Sequence, residues 1–166
     1  MPGEAVVGPM YSTILHPTDG SEASTAAADH AIELASTNDA TLRLLYVVDV
    51  STLAADDFGT VLLDNLEENG RAALDDLAAR AEAAGVECVT VVETGTPHRE
   101  IVADVEGSDV DLVVMGTHGR TGLDRFLLGS VAERVVRTAG VPVLVVPPER
   151  GGESEGTDET SEAGTE

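Results

Sequence analysis

Short apolar runs alternate along the chain with segments whose apolar residues recur at three- and four-residue steps. The first run, Tyr11 to His16, is β-rich and ends at the turn sequence Pro17-Thr18-Asp19-Gly20-Ser21. Ser21 is suited to cap a helix reaching about Thr37, on which Ala28, Ala31, Ile32 and Ala35 share one face. Leu42 to Val50 reads as a second strand. A polar stretch then leads into a long helix marked by Leu62, Leu66, Ala73, Leu77, Ala81 and Ala84 and stopped by Gly85. Val86 to Glu93 reads as a third strand. A Gly95-Thr96-Pro97 turn opens a short helix, with proline in the first turn, where its missing N–H costs nothing. Asp111 to Gly116 is the fourth strand. A glycine-rich loop follows, then a helix from about Ser130 to Ala139, and Val141 to Val146 is the fifth strand.

Strands alternating with helices in this way predict an α/β fold, a single-domain three-layer sandwich with helices on both faces of a parallel sheet. Right-handed crossovers leave few topologies. Ligands of such folds bind outside the carboxyl ends of the strands, so the turns after strands one, two and four are the places to look for chemistry.

Length and composition narrow the picture. The 166 residues fit one domain. Residues 1–10 read as a flexible arm, 11–147 as the folded domain, and 148–166, rich in Glu, Gly, Ser and Thr, as an acidic disordered tail. Cys88 is the only cysteine, which excludes an intrachain disulfide; on a strand it reads as a small buried hydrophobe. Acidic residues outnumber basic ones 31 to 9, for a net charge of −22, and every basic residue is Arg. Such a surface repels nucleic acid and anionic membrane. Acidity spread along the whole chain suits a cytosol of very high salt, as in an extreme halophile, where repulsion is screened. The first fifteen residues hold Glu4 and no Lys or Arg, unlike a secretory leader, and no apolar run approaches the ~18 residues of a membrane helix. The expectation is a cytoplasmic protein.

The candidate chemistry sits after strand four, in the segment Gly116 to Ser130. Gly116 and Gly119 would let backbone N–H groups approach a ligand without an intervening Cβ. Gly129 and Ser130 stand where the last helix begins, and its free N–H groups and positive dipole end favour an anion. Ser130 and Glu133 also have the spacing of a capping box. Four glycines in this stretch point to phosphate binding. A P-loop is excluded because the chain has no Lys, and the turn after strand one lacks the dinucleotide fingerprint G-x-G-x-x-G. There is no G-x-S-x-G nucleophile elbow. His16, His30, His98 and His118 are scattered without metal-ligand spacing, so no metal ligands and no structural zinc are expected. Asp19 admits two readings: a carboxylate for a base, a ribose or a metal near phosphates, or an Asx turn and helix cap.

These features resemble the universal stress protein family. The specific part is G-x-x-G, nine residues, G-[ST], matched by Gly116, Gly119, Gly129 and Ser130; the Pro17–Ser21 turn and the closing Val141–Val146 strand are similar too. The resemblance covers residues 11–146. It implies a five-stranded parallel sheet in the order 3-2-1-4-5 with four helices, a homodimer pairing through the last strand Val141–Val146, and, from the complete glycine pattern, ATP as ligand. It places Pro17, Thr18 and Asp19 on the adenine and ribose side, and Val47 or Val48 with backbone toward the adenine edge. Met115 and Gly116 would lie under the ribose. His118, Gly119, Gly129, Ser130 and Val131 would surround the phosphates, with Arg120 adding a charge to them, and Mg2+ or Mn2+ is a candidate ion there. His16 departs from the pattern, holding a position where an apolar or small residue is usual.

Phosphoryl transfer needs a positioned nucleophile and stabilisation of the transferring group. The residues supply backbone donors, His118 and Arg120, but no clear base beside a water, so no catalytic residue is assigned. The expected function is an ATP-binding stress-response regulator or sensor dimer acting on a regulatory partner. The alternatives are a dimeric interaction module of the same fold without nucleotide, and a slow metal-dependent ATPase.

Overall fold

The computed structural model describes residues 8–51, 60–117 and 127–148. Along them run β1 (Thr13–Thr18), α1 (Glu22–Asn38), β2 (Thr41–Asp49), α2 (Thr60–Ala83), β3 (Cys88–Gly95), α3 (Pro97–Gly107), β4 (Leu112–Gly116), α4 (Ser130–Thr138) and β5 (Val143–Val146). The sheet order is β3-β2-β1-β4-β5, with every pairing parallel. This is the Rossmann-like sandwich with four helices that the alternation of elements predicts.

The strand period of two builds two cores. Ile14, Leu44 and Val114 point into one, packed against α1 and α2. Leu15, Leu45, Val113 and Met115 point into the other, against α3 and α4. On the first face α1 lies close to the sheet because its buried residues are small: Ala23, Ala27, Ala28, Ala31 and Ala35. On α2, Gly70 leaves room for the ring of Tyr46; a Cβ there would stand 2.5 Å from Tyr46 Cδ1.

Three helices stop by the same device. Asp39, Gly85 and Asp109 adopt left-handed φ values of 53°, 73° and 51°. The next amide then turns back: Ala40 to the carbonyl of Ala35, Val86 to that of Ala81, and Val110 to that of Val105. Each of those three next residues is buried, which fastens the helix end to the core. Val86 therefore belongs to the end of α2, and β3 begins at Cys88, two residues later than the apolar run suggests.

Boundaries also shift at β5, which begins at Val143 rather than Val141, and at β1, which continues through Pro17 and Thr18 rather than ending at His16. Both residues stay in register with β2, at Leu45 and Tyr46. A proline is tolerated because its missing N–H faces the other neighbour. The Thr13 carbonyl accepts from Asp111 on the β4 side, and the period of two puts Pro17 on that side too. There the β1–β4 register is limited to Ile14↔Leu112 and Leu15↔Val113.

Candidate functional site

The carboxyl ends of β1, β2 and β4 and the amino ends of α3 and α4 surround a cavity of about 490 Å³. Pro17, Thr18 and Asp19 line it from β1 and its turn, and Val47 and Val48 from β2. Met115 and Gly116 line it from β4, and Gly129, Ser130 and Val131 from the start of α4. Ten of the site residues expected from sequence thus meet in one place. His118, Gly119 and Arg120 lie outside the described residues. The cavity has further walls that the sequence reading did not name: Tyr46 and Asp49 on β2, Leu66 on α2, Pro97 and Ile101 on α3, and Ala132 on α4. Pro97 had a local signal, since it opens a helix after a strand on the same sheet edge. Leu66 had none beyond its place on an amphipathic helix.

The turn after β1 is closed by its own side chains. Asp19 Oδ1 accepts from the Ser21 amide at 2.9 Å, and Thr18 Oγ1 accepts from the Gly20 amide at 3.1 Å. Ser24 Oγ donates to Thr18 Oγ1 at 2.6 Å, both residues being buried. Ser21 caps α1, accepting from the Ser24 amide at 3.3 Å. The Asx-turn reading of Asp19 is therefore present in the structure, and one of its carboxylate oxygens is engaged in it.

The start of α4 is different. Its N-cap is Gly129, not Ser130, with extended backbone at φ −64° and ψ 158°. The capping box is not formed. Ser130 is already inside the helix, and the Glu133 carboxylate is drawn to Arg137, 2.6 Å away one turn further on. Among the described residues no side chain caps α4, so its first N–H groups face the cavity mouth with the helix dipole behind them. The Gly129 amide donates to the Thr117 carbonyl at 2.6 Å, which ties this helix start to the end of β4.

Gly116 lines the cavity, yet its missing Cβ serves packing. An added Cβ would stand 3.0 Å from the Ala23 carbonyl oxygen of α1. The close approach is between β4 and the first turn of α1, a packing role beside the ligand-facing one inferred from sequence.

Just behind the site lies His16, fully buried. Its Nδ1 is 2.8 Å from the Val114 carbonyl. A carbonyl only accepts, so Nδ1 carries the hydrogen. The ring supplies a tie between β1 and β4 near Pro17, which has no N–H to offer. Nε2 is buried without a hydrogen-bond partner among the described residues. Burial pushes the imidazole down to about 4, only partly opposed by the Val114 bond and the Asp19 charge, and Arg80 pushes in the same direction as burial. His16 is a neutral structural element at neutral pH. On the far edge of the site's sheet, half-buried Cys88 has its thiol raised by burial first and Glu82 second, in line with an unreactive packing residue.

Residues 10–147 match the universal stress protein family. The chain belongs to that family. It is 47% identical over 140 residues to universal stress protein MJ0531 of Methanocaldococcus jannaschii, a match that covers 82% of each chain. Among solved structures it is similar to MJ0577, a universal stress protein of the same archaeon, with a TM-score of 0.77 and 34% identity over 85% of this chain and 99% of the other. It is also similar to a universal stress protein solved in complex with cAMP, with a TM-score of 0.67 and 27% identity over 84% of this chain and 99% of that one.

In this universal stress protein the cavity pairs an apolar slot, formed by Val47, Val48, Ile101 and Met115, with backbone donors at α4 that no side chain caps among the described residues. That division suits a ligand with a flat apolar part and an anionic part. Among the described residues no group of three or more His, Cys, Asp or Glu side chains is placed to hold a metal ion, and no helix is long and apolar enough to cross a membrane.

Proposed function

We propose that this universal stress protein binds ATP in the cavity at the carboxyl ends of β1, β2 and β4, and that it acts as a cytoplasmic stress-response regulator. The observation that carries this reading is the start of α4 at Gly129, uncapped among the described residues and opening on a cavity of about 490 Å³ with apolar walls. Phosphates would accept from the first amides of α4. Thr18 and Asp19 would face the sugar, and the strand-end backbone at Val47 and Val48 the base. Mg2+ or Mn2+ would enter as a companion of the phosphates. The cAMP complex of a relative supports a nucleotide as the ligand class.

The ATP would act as a ligand that biases assembly or partner binding rather than as fuel. In this reading two copies pair through β5. That strand is an edge of the sheet, and Leu144 on it and Val136 on α4 are exposed at 38% and 48%.

The test is to denature freshly purified full-length protein and identify the nucleotide released, then to measure thermal shift with ATP and magnesium. Released ATP, or a rise in melting temperature that saturates with ATP, is the expected result. Absence of both overturns the reading in favour of an interaction module without nucleotide.

A further inference from the structure

The arginines of this chain are scarce, and their pairing is uneven. Of the six in the described residues, Arg43 is held by Asp104, Arg71 by Glu67, Arg80 by Asp29 and Arg137 by Glu133. Arg99 and Arg134 have no carboxylate partner among the described residues, in a chain with 31 acidic residues. They lie together. Arg134 Nη1 is 3.5 Å from His98 Nδ1, and Arg99 is the next residue along α3. Both arginines, after burial, act to hold His98 below its ordinary value, so the cluster's positive charge is theirs. The nearby carboxylates are committed elsewhere: Glu133 to Arg137, and Asp104 to Arg43 by a two-bond contact at 2.7 and 3.0 Å. Glu100, next to Arg99 in sequence, and Glu106, further along α3 and lining the same shallow groove as His98 and Arg99, remain.

The cluster is also next to the cavity. His98 follows Pro97, which lines it. Arg134 is one turn beyond Ser130, about 6 Å along the axis, and helical side chains lean back toward the amino end, which here is the uncapped end. A triphosphate approaching a protein of net charge −22 is repelled at long range. Two guanidinium groups without a carboxylate partner among the described residues set positive charge beside the mouth against that repulsion.

We infer that Arg99 and Arg134, with His98 between them, form an entry rim that steers the polyphosphate end of a nucleotide into the cavity. The inference rests on the nucleotide-site reading above. The rim acts on capture rather than on the bound state: it raises the association rate of anionic ligands and leaves an uncharged nucleoside unaffected. It is thus a selectivity device, favouring triphosphate over nucleoside through the rate of entry.

The test is stopped-flow binding of a fluorescent ATP analogue and of the matching fluorescent adenosine to the full chain and to the double variant Arg99→Gln/Arg134→Gln. Glutamine is as good a helix former as arginine at these exposed positions, so the fold is retained. At low ionic strength the ATP association rate is expected to fall about tenfold, with a flatter dependence on salt, and Arg99→Glu/Arg134→Glu to fall further. Dissociation rates and adenosine binding are expected to stay within about twofold, because steering acts on the approach of a charged ligand. An unchanged ATP association rate overturns the inference, whether or not dissociation moves. An equal loss for adenosine also overturns it. Failure of the parent protein to bind either probe overturns the nucleotide reading itself, a result recognisable before any variant is made.

Discussion

Two turns at the same edge of one sheet start two helices in opposite ways. After β1, Thr18, Asp19, Ser21 and Ser24 satisfy one another, the turn amides of Gly20 and Ser21 go to side-chain oxygens, and the Ser24 amide in the first turn of α1 goes to the Ser21 hydroxyl. After β4, a glycine N-cap leaves the first amides of α4 unclaimed by any described side chain. The physical problem is the same in both places, since every helix begins with orphan donors. A helix whose only task is packing meets it with a cap. A helix left uncapped at a cavity has donors in reserve for something else. The closed turn is a rigid wall, and the open one is the place where an anion can be received.

The sharpest way to break this contrast is to close the open end. Gly129 has φ −64° and ψ 158°, extended backbone that any residue adopts. Gly129→Asp should install the cap that α1 already has, stabilising the protein by about 0.5 kcal/mol. The same carboxylate would occupy the amides and repel phosphate, weakening ATP binding on the order of 100-fold, about 2.7 kcal/mol. Gly129→Ser caps without charge and should lie between the two. Calorimetric titration with ATP beside thermal melts checks both halves. A variant that is more stable and binds ATP like the parent would show that the α4 amides hold no ligand.

The next effect concerns His16, which ties β1 to β4 upstream of both turns. Its imidazole sits at about 4 in the folded protein against an ordinary value of 6.5. Between those values the unfolded chain binds a proton that the native state refuses, so stability is full above about 6.5 and falls as the pH drops toward 4. The shift corresponds to about 3 kcal/mol. Asp19 and Arg80 are the charged groups acting on the ring, and burial outweighs both. Urea unfolding of the parent and of His16→Leu at pH 7 and 4.5 isolates this contribution from the many carboxylates that also titrate. The parent should lose more stability than the variant over that interval; equal losses would mean that the ring takes up its proton without opening the core.

The layered architecture was legible because period-two and period-3.6 patterns alternate cleanly, and because Ser21, Gly85 and Pro97 punctuate the helices by local chemistry. The same alternation pointed to the turns after strands one, two and four, and the family resemblance added the residues Pro17–Asp19, Val47–Val48 and Met115–Gly116 there. Three things were not legible. The N-cap of α4 was read one residue late because Ser130 and Glu133 have capping-box spacing, while Glu133 has a stronger partner in Arg137. The packing of Gly116 against the Ala23 carbonyl joins residues ninety-three positions apart in sequence that are near only after folding. The bond from His16 to Val114 is likewise long-range, so an odd residue in an apolar strand was visible but its function in the sheet was not.

The smallest effect tests the closed turn. Ser24→Ala removes the donor to Thr18 Oγ1, a buried pair at 2.6 Å. Thr18 keeps its bond from the Gly20 amide, so its oxygen is not orphaned and the loss should be modest, about 1 kcal/mol. Ser24 and Thr18 both line the cavity, but the hydroxyl pair is spent on each other. ATP affinity should therefore fall less than about threefold, through loosening of the wall rather than loss of a ligand contact. A drop as large as that of Gly129→Asp would reverse the contrast, because it would make the first turn a receiving surface and not a wall. Melting temperature and ATP titration on the one variant decide between these outcomes.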